Sequence, residues 1–258
     1  MPGLLAALDG ANLKPGAVDY LILTHIHLDH AGGTGLLLKS LPNATVVAHS
    51  RAKTHLIDPT RLWEASLRTQ GDLALKYGRI EPVPAERILA VGEGMKICLG
   101  EGLELEILLT PGHATHHLSL FEKISSLLFA GEAAGVCING GLRPATPPPF
   151  KLEEALASLD KLIGLKPERI CYGHFGCYGE GLKRLKSYRD KLLRWHEMVN
   201  LEVRKGADPE AIFSVMRSMD TDLDYLDKLD KDEYEREFSL IVNSIYGLAG
   251  LVRGDEEE

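Results

Sequence analysis

Thr24-His25-Ile26-His27-Leu28-Asp29-His30 decides how this chain is read. The residues before it, Val18-Asp19-Tyr20-Leu21-Ile22-Leu23-Thr24, form an apolar run that predicts a buried strand. In an extended segment His25 and His27 point the same way, because the side-chain period is two. Both imidazoles can then reach one metal ion. Asp29 and His30 come at the turn into a helix, where Gly32-Gly33 lets the chain bend, and they reach a second point nearby. Histidine and carboxylate are the donors that zinc sites use. With 10 His in 258 residues, the pattern H-x-H-x-D-H arises by chance in roughly one chain in a thousand.

Further candidate ligands stand where predicted strands end. Thr110-Pro111-Gly112-His113 follows the strand expected at 103–109. Gly131-Glu132 follows the one at 126–130, and Gly173-His174 the one at 168–172. Loops at one sheet edge converge on a site, so His113, Glu132 and His174 join the first motif as candidate ligands. Other expected elements are a strand at 45–49, another at 118–121, and helices at 33–40 and 152–165. A long helix is expected at 59–77, with Asp58 as its N-cap before Pro59. The proline triplet 147–149 ends the β-rich middle.

From about Gly181 the pattern is all helix, over 182–203, 209–219 and 234–251. This divides the chain into a 1–180 catalytic domain and a 181–258 helical module. The module reads either as a lid or dimer surface or as a solvated acidic cap. The formal net charge is −8, and residues 220–258 alone hold 13 acids against 4 bases. Neither part has the basic surface that nucleic-acid binding needs. No apolar run reaches the ~18 residues of a membrane span, and the N-terminus has no signal-like stretch. A cytoplasmic protein with four reduced cysteines, no membrane and no nucleic-acid partner is expected.

The order H-x-H-x-D-H, Pro-Gly-His, Gly-acid, Gly-His resembles the metallo-β-lactamase fold superfamily, closest to its glyoxalase II-like hydrolases, over roughly residues 1–180. The resemblance implies an α/β fold, an αβ/βα sandwich, with a binuclear metal site. His25, His27 and His113 would hold one ion and Asp29, His30 and His174 a second, with the acid at 132 bridging them. Two zinc ions are implied, with iron or manganese as alternatives. A metal-bound hydroxide would attack a small ester, thioester or lactone, which makes the carboxylates Asp29 and Glu132 the catalytic candidates.

Two departures from the family pattern stand out. The bridging acid is Asp in the family and Glu132 here, so Glu132 is either a longer bridge or no ligand. Only 24 residues precede His25, with no Asp-Thr-Gly turn, so the usual first strands are missing and the open edge makes a homodimer plausible.

Around these ligands, His117 either bonds a ligand or faces substrate, or is structural. His116 is expected to face the opposite side of the strand. Arg143 either meets an anionic substrate group or makes a surface salt bridge. Tyr178 and Cys177 follow His174 and line the pocket. His49 and His55 read as structural, and Trp63 and Trp195 as core. Three other functions compete with the hydrolase: an iron-dependent oxygenase or oxidoreductase, a phosphodiesterase, and a non-catalytic relative.

Overall fold

The computed structural model describes residues 2–250. Two compact units divide the chain. One holds the residues up to Met95 together with Ile107–Leu109 and His116–Leu118, and the other holds the rest.

The first unit opens with α1 (Pro2–Gly10), β1 (Tyr20–Ile22), α2 (Leu28–Ala31), α3 (Thr34–Leu38) and β2 (Thr45–His49). It continues with α4 (Lys53–Ile57), α5 (Thr60–Gln70), α6 (Asp72–Tyr77) and β3 (Ile88–Val91). The three strands make a parallel sheet in the order β1-β2-β3, with Leu21 opposite Val46 and Val47 opposite Leu89. β2 is central, and its Val46, Val47 and Ala48 are all buried. An apolar run is what a parallel strand covered on both faces requires. Leu23, Ile26, Leu37, Leu38 and Leu41 join this core, and Leu5 and Leu8 of α1 pack on it beside Val18 and Leu21. Among the described residues no strand precedes β1; helix α1 and a 3-10 turn at Pro15–Ala17 stand there.

Three local expectations are corrected. The strand expected over 18–24 is hydrogen-bonded as a strand only at Tyr20–Ile22. The helix expected over 59–77 is broken at Gly71, whose φ of 52° and ψ of −126° suit a residue without Cβ. Asp58 does not cap in the expected manner. Pro59 holds the N-cap position, and Asp58 Oδ1 accepts from Thr60 N at 3.1 Å and from the Thr60 hydroxyl at 2.7 Å, a local turn ahead of the helix.

The second unit carries most of a six-stranded sheet: β4 (Lys96–Gly100), β5 (Leu103–Leu109), β6 (Leu118–Glu122), β7 (Leu127–Gly131), β10 (Arg169–Tyr172) and β11 (Cys177–Gly179). The order is β11-β10-β7-β6-β5-β4. A separate hairpin pairs β8 (Val136–Ile138) with β9 (Gly141–Arg143). β7 and β10 are parallel, so the chain must cross over between them, and α7 (Leu152–Gly164) is that crossover. Tyr172 at the end of β10 pairs with Gly131 at the end of β7. This register sets residues 132 and 174 at the same end of two adjacent strands.

The helical stretch is α8 (Gly181–Arg204), α9 (Pro209–Met219) and α10 (Lys231–Ala249), with a 3-10 segment at Thr221–Lys228. α8 packs against α7, α9, α10 and β10. Trp195 is buried, as expected of a core residue, and its indole donates to Asp220 at 2.7 Å. Asp208 caps α9 ahead of Pro209. Asp230 and Glu233 form a capping box that starts α10 three residues before the expected Tyr234. The expected end of that helix, Leu251, lies outside the described residues. All four cysteines are free, and no helix among the described residues is long and apolar enough to cross a membrane.

Candidate metal centre

The first unit gathers five histidine rings. β1 ends at Ile22, and His25 to His27 continue as extended chain leading into α2, with His27 at its N-cap position. Ile26 turns into the apolar core between the two histidines, and His25 is itself buried. The His25 and His27 rings are 4.6 Å apart, edge to face, and the His25 and His30 rings 4.1 Å apart. The Thr24 hydroxyl lies 3.1 Å from His25 Nδ1. Asp29 and His30 sit on the single turn of α2, with Asp29 Oδ2 3.4 Å from His30 Nε2. Gly32 is needed for space rather than for a turn, since a Cβ there would lie 2.5 Å from Leu28 O.

His117 is fully buried and its ring stacks on His25 at 5.3 Å. His116 does not face away as expected. Its ring is 5.8 Å from that of His27, and its Nδ1 accepts from Ile26 N at 3.4 Å. The physical reason is that both residues precede β6, in a turn where strand alternation does not apply.

The second unit brings His113, Glu132 and His174 together. Pro111-Gly112-His113 leaves β5 against α7. Gly112 has φ of 140°, and a Cβ on it would lie 2.7 Å from Ala155, so glycine is required. Ser158 of α7 donates to Pro111 O at 2.6 Å. Thr110 and Ser119 are hydroxyl partners at 2.9 Å, and Ser119 donates onward to Ala130 O. Gly173 N donates to Gly131 O at 3.1 Å, which draws the His174 loop to the end of β7. Glu132 then lies with Oε2 2.9 Å from His113 Nε2 and Oε1 3.7 Å from His174 Nε2.

The donor set fits a cation. His113 Nδ1 lies 2.9 Å from the Ala145 carbonyl, which can only accept, so the proton of a neutral ring is on Nδ1. Nε2 then offers a lone pair to the carboxylate of Glu132, and two lone pairs at 2.9 Å repel. A cation between or beside them, a proton or a metal ion, removes the conflict. A backbone carbonyl on the far nitrogen is also how metal-ligating histidines are oriented.

Arg143 is buried rather than at the surface. Its Nη2 and Nε lie 2.9 and 3.1 Å from Glu237 Oε2, and Tyr225 donates to the same oxygen at 2.8 Å. Burial opposes the guanidinium charge, but Glu237, with Tyr225 and Glu132, holds its pKa above the ordinary value. Burial pushes the Tyr188 phenol well up. Tyr178 donates to Phe175 O at 3.0 Å, and Arg184 stacks over its ring at 4.4 Å. Cys177 is exposed, and the Cys171 thiol opposite it on β10 is pushed up to about 12 by burial and by Cys177. His49 Nδ1 accepts from Arg51 N at 2.9 Å, and burial, then Arg51, holds it below the usual histidine value. Ala145, Tyr225 and Glu237 were not singled out from the sequence. A backbone carbonyl leaves no side-chain signal, and a partner 94 residues away leaves no local one.

Comparison with known proteins shows the family. A family model described as the metallo-beta-lactamase superfamily matches residues 2–174. The chain is 34% identical over 163 residues to the metallo-beta-lactamase fold-containing protein ST1585 of Sulfurisphaera tokodaii, covering 62% of this chain and 61% of that one. The crystal structure of ST1585 superposes with a TM-score of 0.62 at 32% identity, over 68% of each chain. The hydroxyacylglutathione hydrolase of Xylella fastidiosa strain M12 is 30% identical over 60% of this chain and 45% of its own length. A solved structure of TTHA1623 in a di-iron-bound form matches at TM-score 0.50 and 26% identity, over 71% of this chain and 82% of that one. The chain thus spans 61% and 45% of the length of the two curated relatives. With the model matching two thirds of its residues, the chain belongs to the metallo-β-lactamase superfamily.

Proposed function

We propose that the chain is a metal-dependent hydrolase of a small ester, thioester or lactone. His25, His27 and His113 hold one ion, Asp29, His30 and His174 a second, and Glu132 is shared between them. The observation that carries this reading is the Glu132 carboxylate, which turns one oxygen to His113 and the other to His174. Two separate sets of candidate donors, one of them including Glu132, support it further. Divalent ions at such a site lower the pKa of water to near neutrality and polarise a carbonyl. The chain's own part is to fix the donors: α7 and Ala145 O set His113, the end of β7 sets Glu132, and the turn of α2 sets Asp29 and His30.

The likeness to a hydroxyacylglutathione hydrolase favours thioesters within this class. The near-neutral charge of residues 1–219, with 24 acids and 25 bases, favours a small substrate over nucleic acid. Zinc suits the donors, and the di-iron relative makes iron the second candidate.

The test is elemental analysis of protein purified without added metal, followed by a panel of esters, thioesters and lactones. Two ions per chain and turnover of one class are expected, with both abolished in His27→Ala. Wild-type turnover in His27→Ala overturns the reading.

A further inference from the structure

We infer that Ser244, on α10, is a positioning residue for His113, acting through the backbone of residues 144–146. The inference rests on the metal-centre reading above. His113 Nδ1–H donates to Ala145 O at 2.9 Å, so the ring can turn only as far as that carbonyl allows. Ala145 is held from both sides by one hydroxyl. Ser244 Oγ accepts from Thr146 N at 3.2 Å and reaches Pro144 O at 3.4 Å, sharing its single proton with Leu240 O at 3.1 Å. The Thr146 hydroxyl returns a bond to Ser244 O at 2.9 Å. One residue upstream, Arg143 is locked to Glu237 of the same helix. One turn downstream, a Cβ on Gly247 would lie 1.9 Å from Thr146 O, so the two backbones are in direct contact.

Ile241, Ile245 and Leu248 of the same helix are buried. The bonds from Glu237 and Ser244 to residues 143–146 do something more specific, because that segment includes the Ala145 carbonyl that His113 uses. This support comes from a helix that lies beyond residue 174, where the matched family region ends. Outer partners of metal ligands commonly set affinity by 10- to 100-fold, a range that gives the expected size of the effect.

The experiment compares wild type with Ser244→Ala, Ser244→Thr and Ile212→Val. Ile212 is buried in α9 and makes no bond to residues 143–146, so it reports simple loss of packing. Two quantities are read: zinc dissociation constants by chelator competition, and the His113 Nδ1 proton in imidazole 15N–1H spectra of the metal-free protein. Ser244→Ala should weaken zinc by about 10-fold or more and broaden or remove the Nδ1 proton signal. Ser244→Thr should restore both, and Ile212→Val should lower the melting temperature with zinc affinity unchanged. Zinc affinity within twofold of wild type in Ser244→Ala, or equal weakening in Ile212→Val, overturns the inference. If Ser244→Ala does not fold, Thr146→Val removes the one hydroxyl that bonds Ser244 O from the loop side, and it is read in the same way. If wild type binds no metal, the hydrolase reading fails, and the Nδ1 signal still decides the role of Ser244.

Discussion

Glu132 differs from the family's aspartate by one methylene, and its position shows what that length does. Its two oxygens lie 2.9 Å from His113 and 3.7 Å from His174. Aspartate on the same backbone would stop about 1.5 Å short, one C–C bond. Glu132→Asp should therefore drop metal content from two ions to one, and lower kcat/KM on the best ester by roughly 100-fold. Glu132→Gln keeps the reach but loses the charge, so it should also lose metal. Elemental analysis and initial rates check both, and two ions at wild-type rate in Glu132→Gln would place Glu132 outside the ligand set. Such residues were legible because their signal is local: His25, His27, Asp29 and His30 lie within six positions and share one strand end and one turn. Arg143 was not legible in this way. Its two expectations were a substrate contact and a surface salt bridge, and its main buried partner, Glu237, lies 94 residues on. His116 was misread because alternation was carried into a turn.

Elements were legible where period and caps agree. β2 at Thr45–His49 and α9 at Pro209–Met219 match expectation to the residue, because an apolar run and an Asp-Pro start leave little choice. β3, β4, β8, β9 and β11 were missed. All are three to five residues long, and pairing partners rather than their own pattern make them strands. Helix α8 shows the same dependence on distant partners. Lys191 is buried on it, with Nζ 2.7 Å from Asp220 and 2.5 Å from Asp222, and the Trp195 indole also bonds Asp220. Asp220→Ala leaves the indole unpaired and Lys191 with only Asp222. It should destabilise the chain by about 2 kcal/mol, below the 3–5 typical of a fully broken buried pair. Urea unfolding followed by tryptophan fluorescence measures this directly. An unchanged midpoint would mean that water replaces Asp220 without loss.

At the scale of the whole molecule, the candidate ligands run from position 25 to position 174, so metal and folding are linked if the proposed centre forms. An ion that binds only the folded chain stabilises it by about 4 kcal/mol at a thousand times its dissociation constant. For a chain of this size each kcal/mol moves the melting temperature by roughly 2–4 °C. Dialysis against EDTA should then lower the midpoint by about 10 °C relative to protein in excess zinc, and zinc should restore it in a concentration-dependent way. The control is His27→Ala, whose midpoint should respond to zinc far less. If zinc shifts His27→Ala as much as wild type, the ions stabilise the chain at some other set of donors. That result would leave the family membership intact, since it rests on residues 2–174 as a whole. It would remove His27 from the donors through which zinc stabilises the fold.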